Sequence, residues 1–149
     1  MAERTDMLTT IYQNHFNQFR HYEMLHVSVT NLMLIVAAGV LAFIANNGIT
    51  KDKWPLAVFL IVIGFCGILF TAKIYEIMEF NVRVATEHRK ELETLLQFDS
   101  SALREKIQSE HKRNHPYLFK KKFLFIYWTI LHSLIGFLGL FLFGYILSK

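Results

Sequence analysis

The chain has 149 residues, 53% of them hydrophobic and 15% aromatic, with a formal net charge of +4. One compact unit suits that length, and a soluble unit of this size has too much surface for its volume to hide so much apolar area. Its one cysteine, Cys66, excludes an intramolecular disulfide.

The first 26 residues are polar and mixed in charge, without the short apolar core and small-residue cleavage site of a secretory leader. The first apolar block therefore reads as a retained signal-anchor. Within the opening segment Leu8, Tyr12, His15, Phe19, Tyr22, His26 and Val29 recur at steps of four and three, one stripe along a helix. No Pro or Gly stands between residues 3 and 38. The simplest prediction is one helix that begins in the cytoplasm and continues into the membrane; a helix lying flat on the bilayer is the alternative.

Three uncharged apolar runs follow, at 27–45, 54–72 and 123–147. At about 1.5 Å per residue, each is long enough for a bilayer core of roughly 30 Å, the third with tilt. A loop at 46–53 joins the first two, and a charged helical region at 73–122 joins the second to the third. The fold class predicted is all-α: a single membrane domain, a bundle of three transmembrane helices, two of them extended into the cytoplasm. Lys and Arg set the orientation. Arg4, Arg20 and eleven basic residues in 73–122 fall on one side, against Lys51, Lys53 and Lys149 on the other. The richer side belongs in the cytoplasm. That puts the N-terminus inside and the C-terminus outside a plasma (bacterial inner) membrane.

After the second run the helix pattern continues, with Ile74, Met78, Asn81, Ala85, His88, Leu92 and Leu95 on one stripe. Glu79 with Arg83 and Arg89 with Glu93 stand at i,i+4 on the opposite face. Asp99-Ser100-Ser101 offers a turn and a new N-cap, a short polar helix spans Ala102 to Arg113, and Asn114-His115-Pro116 ends it. The two stripes need partner faces, from each other or from neighbouring copies. Ala38 with Ala42, Gly64 with Gly67, and Gly136 with Gly139 permit close helix contact. A homo-oligomer is the expectation, since three spans make a thin bundle.

Few residues carry chemistry. His132 lies within the third run, beside Ser133 and near Thr129, and Asn31 lies early in the first. An ionisable group inside a span is a pore or proton candidate by default; the other reading is a neutral imidazole bonded to a neighbouring helix, through Asn31 or Thr30. Lys112, Arg113, Lys120, Lys121 and Lys122 form a basic juxtamembrane cluster suited to anionic lipid or an anionic ligand. Metal readings rest on Glu23 with His26, an E-x-x-H pattern that di-iron bundles use twice, and on His111 with His115 at i,i+4 beside Glu110. Each lacks further evident ligands, and the preferred readings are an interfacial polar turn before the span for the first and an exposed polar helix end near the membrane surface for the second. Phosphate loops, nucleophile elbows and H-E-x-x-H are missing. No cofactor, no catalytic residue and no specific nucleic-acid recognition are expected.

The layout resembles small bacterial inner-membrane proteins of the RipA-like type. The likeness rests on the Tyr-rich opening helix, Ile11-Tyr12 through Phe19-Arg20-His21-Tyr22, running into a span, then a short outer loop, a second span extended into a charged helix, and a closing third span. The resemblance implies an oligomeric membrane protein without a known reaction. Small multi-span chains of similar look also serve as membrane-disrupting effectors in bacterial antiviral systems. Two functions follow as expectations. One is a non-enzymatic oligomer acting through its cytoplasmic helices, as a membrane-perturbing or pore-forming effector or a partner scaffold. The other is a metal-dependent membrane enzyme using Glu23, His26 and further cytoplasmic histidines.

Overall fold

The computed structural model describes residues 2–114 and 123–148. All regular structure in those residues is helical. The helix α1 spans Ala2–Asn47, a single 3-10 turn spans Lys51–Lys53, and α2 spans Trp54–Leu95, α3 Ser101–Asn114 and α4 Phe123–Ser148. Three of these helices are long and apolar enough to cross a membrane. The chain is therefore an all-α protein of membrane-spanning character.

Continuity has a local cause. Over the first 38 residues α1 contains no helix breaker, and its 46 residues form one uninterrupted helix. It stops where Gly48 takes φ 76°, a conformation without steric cost for glycine alone. At the far end of α2, Phe98 N–H donates to Glu93 O at 3.0 Å and Gln97 N–H to Thr94 O at 3.3 Å. This is the paired closure of a Schellman cap. It places Gln97, not a glycine, at φ 51°.

Two compact units divide the chain. The first joins Met1–Glu23 to Tyr75–Phe123. Here the two stripes meet each other. Leu8, Asn81 and Ala85 are buried. Asn81 Nδ2 donates to Ile77 O at 3.0 Å, which presents its Oδ1 to His15 Nδ1 at 2.8 Å. An amide oxygen only accepts, so the imidazole proton sits on His15 Nδ1. The His15 and His88 rings stack at 6.2 Å. Arg4 reaches Glu91 at 2.6 Å, an exposed pair that adds little. The stripes thus need no neighbouring copy to cover them.

The helix α3 is held at its start. Glu93 accepts from Ser100 Oγ at 2.5 Å and from Arg104 at 3.2 Å, while Ser101 N–H donates to Asp99 Oδ1 at 2.7 Å. The Ser101 bonds, backbone first and then side chain, hold the Asp99 carboxyl below the usual range. The polar helix expected at 102–113 gains one residue at each end. None of its residues is buried.

The second unit joins Met24–Ile74 to Leu124–Lys149 and contains the apolar runs. Ala37, Leu60 and Ile135 form its core, with Leu34, Val40, Leu41, Ile63 and Leu142 against them. Around that core the helices turn bulky apolar side chains outward: Ile35, Phe43, Val62, Phe65, Leu134, Phe137 and Phe141 are each at least half exposed. Water would disfavour such a coat, and hydrocarbon accepts it.

The Gln97 strain gives a first prediction. A left-handed non-glycine residue carries about 1–2 kcal/mol of steric cost, partly offset by the entropy glycine loses on ordering. Gln97→Gly should stabilise the end of α2 by roughly 0.5–1 kcal/mol. Hydrogen exchange at Thr94 to Phe98 reads this out, and the amides should exchange several-fold more slowly.

Candidate functional site: a polar cluster within the spans

The α2–α4 contact creates the site. A Cβ added to Gly64 would fall 2.5 Å from Gly136 N and 2.8 Å from His132 O. One added to Gly139 would fall 2.7 Å from Ile61 N and 2.9 Å from Ala57 O. One added to Gly67 would collide with the His132 ring. Position 67 of α2 thus opposes 132 of α4, 64 opposes 136, and 61 opposes 139. This is an antiparallel seam in which hydrogen replaces a side chain at each close approach. Small residues in spans serve this purpose. The glycines predicted from sequence as contact points are therefore used within the chain.

His132 fills the notch at Gly67 and is completely buried. Its Nε2 lies 3.5 Å from Thr30 Oγ1. A step along α1, His26 Nε2 lies 3.0 Å from Thr71 Oγ1. Phe70 stacks on the His26 ring at 5.9 Å, and Trp128 meets it edge-on at 5.4 Å. Each hydroxyl can donate or accept, so each suits either neutral tautomer of its imidazole. His132 Nδ1 and Trp128 Nε1 are buried with no hydrogen-bond partner among the described residues. Thr129 and Ser133 contribute nothing to the cluster, since each bonds the carbonyl four residues back at 2.8 Å.

The cluster occupies the end of the bundle where α1 enters its apolar run, and the dry core of Ala37, Leu60 and Ile135 follows it. Such an arrangement ties three helices together by polar contacts. It does not form a continuous polar path along one chain.

The sequence-derived candidates scatter. Asn31 is exposed, has no hydrogen bond among the described residues, and is not joined to His132. Of the two partners considered for His132, Thr30 is the one present. The sequence put His26 just before the first span, yet it packs against span residues of α2 and α4. Glu23 is exposed while His26 is buried, so this E-x-x-H pair does not converge on one point. No three His, Cys, Asp or Glu among the described residues stand close enough to share a metal. Lys112 and Arg113 are exposed in the last turn of α3, with His111, where cations suit the helix dipole. His115, Lys120, Lys121 and Lys122 lie outside the described residues. Sequence reading missed Thr71, Trp128 and the role of Gly67. The available signal was spacing: Thr30 follows His26 by four, and Thr71 stands one residue before the end of the second apolar run.

Comparison with protein-family models, curated proteins and solved structures finds no match.

The seam predicts an asymmetry between two glycines that face each other. A methyl at Gly136 would meet only Gly64 Cα, at 3.8 Å, an ordinary contact. Gly64→Ala should destabilise the solubilised protein by about 1–3 kcal/mol, the usual range for overpacking. Gly136→Ala and Gly39→Ala should be near neutral. Thermal unfolding in one detergent, all three variants side by side, checks the order.

Proposed function

We propose that this chain is a non-enzymatic, oligomeric protein of the bacterial inner membrane that acts through its extramembrane helices. Its N-terminus lies in the cytoplasm and its C-terminus outside, following the excess of Lys and Arg. Its action is that of a membrane-perturbing effector or partner scaffold, a role that fits antiviral defence and the layout resemblance.

The observation that carries this reading lies in the first unit. After its two stripes have paired, Phe80, Leu96, Phe98, Leu103 and Ile107 remain between 56% and 61% exposed. These residues are outside the three apolar runs. Leu103 and Ile107, at i and i+4, are adjacent exposed apolar side chains, and such neighbours mark a protein contact. Leu103 and Ile107 share one face of α3, a helix that buries nothing within its own chain. A second copy or a partner protein supplies the missing cover, and Lys112 and Arg113 favour anionic lipid nearby. A pore would form between copies, because the spans of one chain close on an apolar core.

Purified protein in nanodiscs or mild detergent should run as a defined oligomer by light scattering. Overexpression or triggering should release dye from loaded vesicles. Leu103→Glu with Ile107→Glu should suppress that release and leave membrane insertion intact. A monomer that leaves vesicles sealed under every trigger tried would refute the proposal.

A further inference from the structure

Glu93 has more claimants than one carboxylate serves well. Its oxygens take the Ser100 hydroxyl at 2.5 Å and the Arg104 guanidinium at 3.2 Å, both at the start of α3. Within α2, Arg89 Nε stands 3.7 Å from the oxygen that Ser100 already occupies, beyond hydrogen-bond reach. That Nε is buried and has no hydrogen-bond partner among the described residues. A buried donor left unmet costs free energy, so Arg89 competes for the carboxylate it faces. The i,i+4 pair expected from the sequence is stretched, and its carboxylate is diverted to the neighbouring helix.

The placement of α3 depends on that competition. None of its residues is buried, so packing does not fix its angle to α2. The side-chain bonds that tie its start to α2 meet on Glu93. The connection at 96–100 passes through Gln97 at φ 51°. A left-handed residue that bears a side chain is a strained pivot.

We propose that Glu93 is a latch between two states of the α2–α3 corner. In the latched state, the one in the structure, Glu93 holds Ser100 and Arg104, and α3 is fixed to the end of α2. In the released state Glu93 closes on Arg89 within α2, Arg104 turns to water, and α3 pivots about residues 96–100. Each state keeps one Arg–Glu pair. The two therefore differ by the Ser100 bond and the unmet Arg89 Nε, not by a whole charge. The released pair has its cation N-terminal to its anion, the weaker order on a helix, which favours the latch at rest. Leu103 and Ile107 travel with α3, so the latch sets how that apolar face is presented. Use of the face by a partner rests on the reading above; the exchange of Glu93 does not.

The test uses full-length protein in nanodiscs, with Cys66→Ala to remove the native thiol. Spin labels go on Val82→Cys of α2 and Gln108→Cys of α3, both exposed positions. Electron double resonance should give one narrow separation with a minor second population. Glu93→Gln keeps the shape of the side chain and removes its charge. It should raise the second population about tenfold, the size of losing a charge-assisted hydrogen bond. Arg104→Ala should do the same. Arg89→Ala removes the competitor and should narrow the distribution. An unchanged separation in Glu93→Gln would overturn the latch. Equal broadening by Arg89→Ala and Arg104→Ala would overturn it too, since that marks a static three-way clamp. Helix content by circular dichroism should match the parent in every variant, because α3 keeps its own backbone bonds. A loss of helix in Glu93→Gln would mean that α3 melts where a pivot is proposed, and would also overturn it.

Discussion

The close approach of α2 and α4 along Gly64, Gly67, Gly136 and Gly139 is the constraint on which the spans depend. Between helices in lipid there is no hydrophobic force, because the tails are as apolar as leucine. Contact must be won by dispersion, which needs short distances and matched shapes. Hydrogen atoms in place of side chains supply both. The same contact fixes where His132 goes. With Gly67 opposite, the imidazole fits between backbones and reaches toward Thr30 of the third helix. A side chain at position 67 would displace the ring and with it the polar tie to α1.

The polar inventory follows from that packing. Four buried polar side chains, two histidines and two threonines, meet in pairs between helices. Pairing of this kind specifies which helix neighbours which, since a slipped register leaves imidazole and hydroxyl unmet in a dry interior. It also bounds what the histidines do. They are held as crosslinks at one end of the bundle, with an apolar core beyond. Transport along one chain would need a second polar stretch past Leu60, and residues there are apolar.

Much of this was legible beforehand. Uninterrupted apolar runs and the lack of Pro and Gly before residue 39 announce the long helices. The stripes through Leu8, His15 and His26, and through Ile74, Asn81 and Ala85, mark the inward faces, and these residues are buried or half-buried. What a single sequence does not encode is who faces whom. The stripe continues past His26 by three to Val29 or by four to Thr30, and both steps lie on a helix face. Only the position of α4 selects Thr30. Small residues are equally ambiguous. Gly64 and Ala38 look alike as contact points, and one is consumed inside the chain while the other is left outside. Asn31 and Thr30 are adjacent in sequence and so point about 100° apart. That angle decides whether a polar group is buried in a tie between helices or left exposed.

Exposure has opposite meanings in the two units. Phe137 and Phe98 are similarly exposed, at 67% and 60%. In hydrocarbon the first is at no disadvantage. In water the second forgoes much of the roughly 1.5–3 kcal/mol that burying a large apolar side chain provides. Asn31 is the mirror case, favourable in water and unfavourable in lipid. Each residue is ordinary by composition and anomalous by location. Under the proposed oligomeric reading, another protein surface would cover Phe98, Leu103 and Ile107.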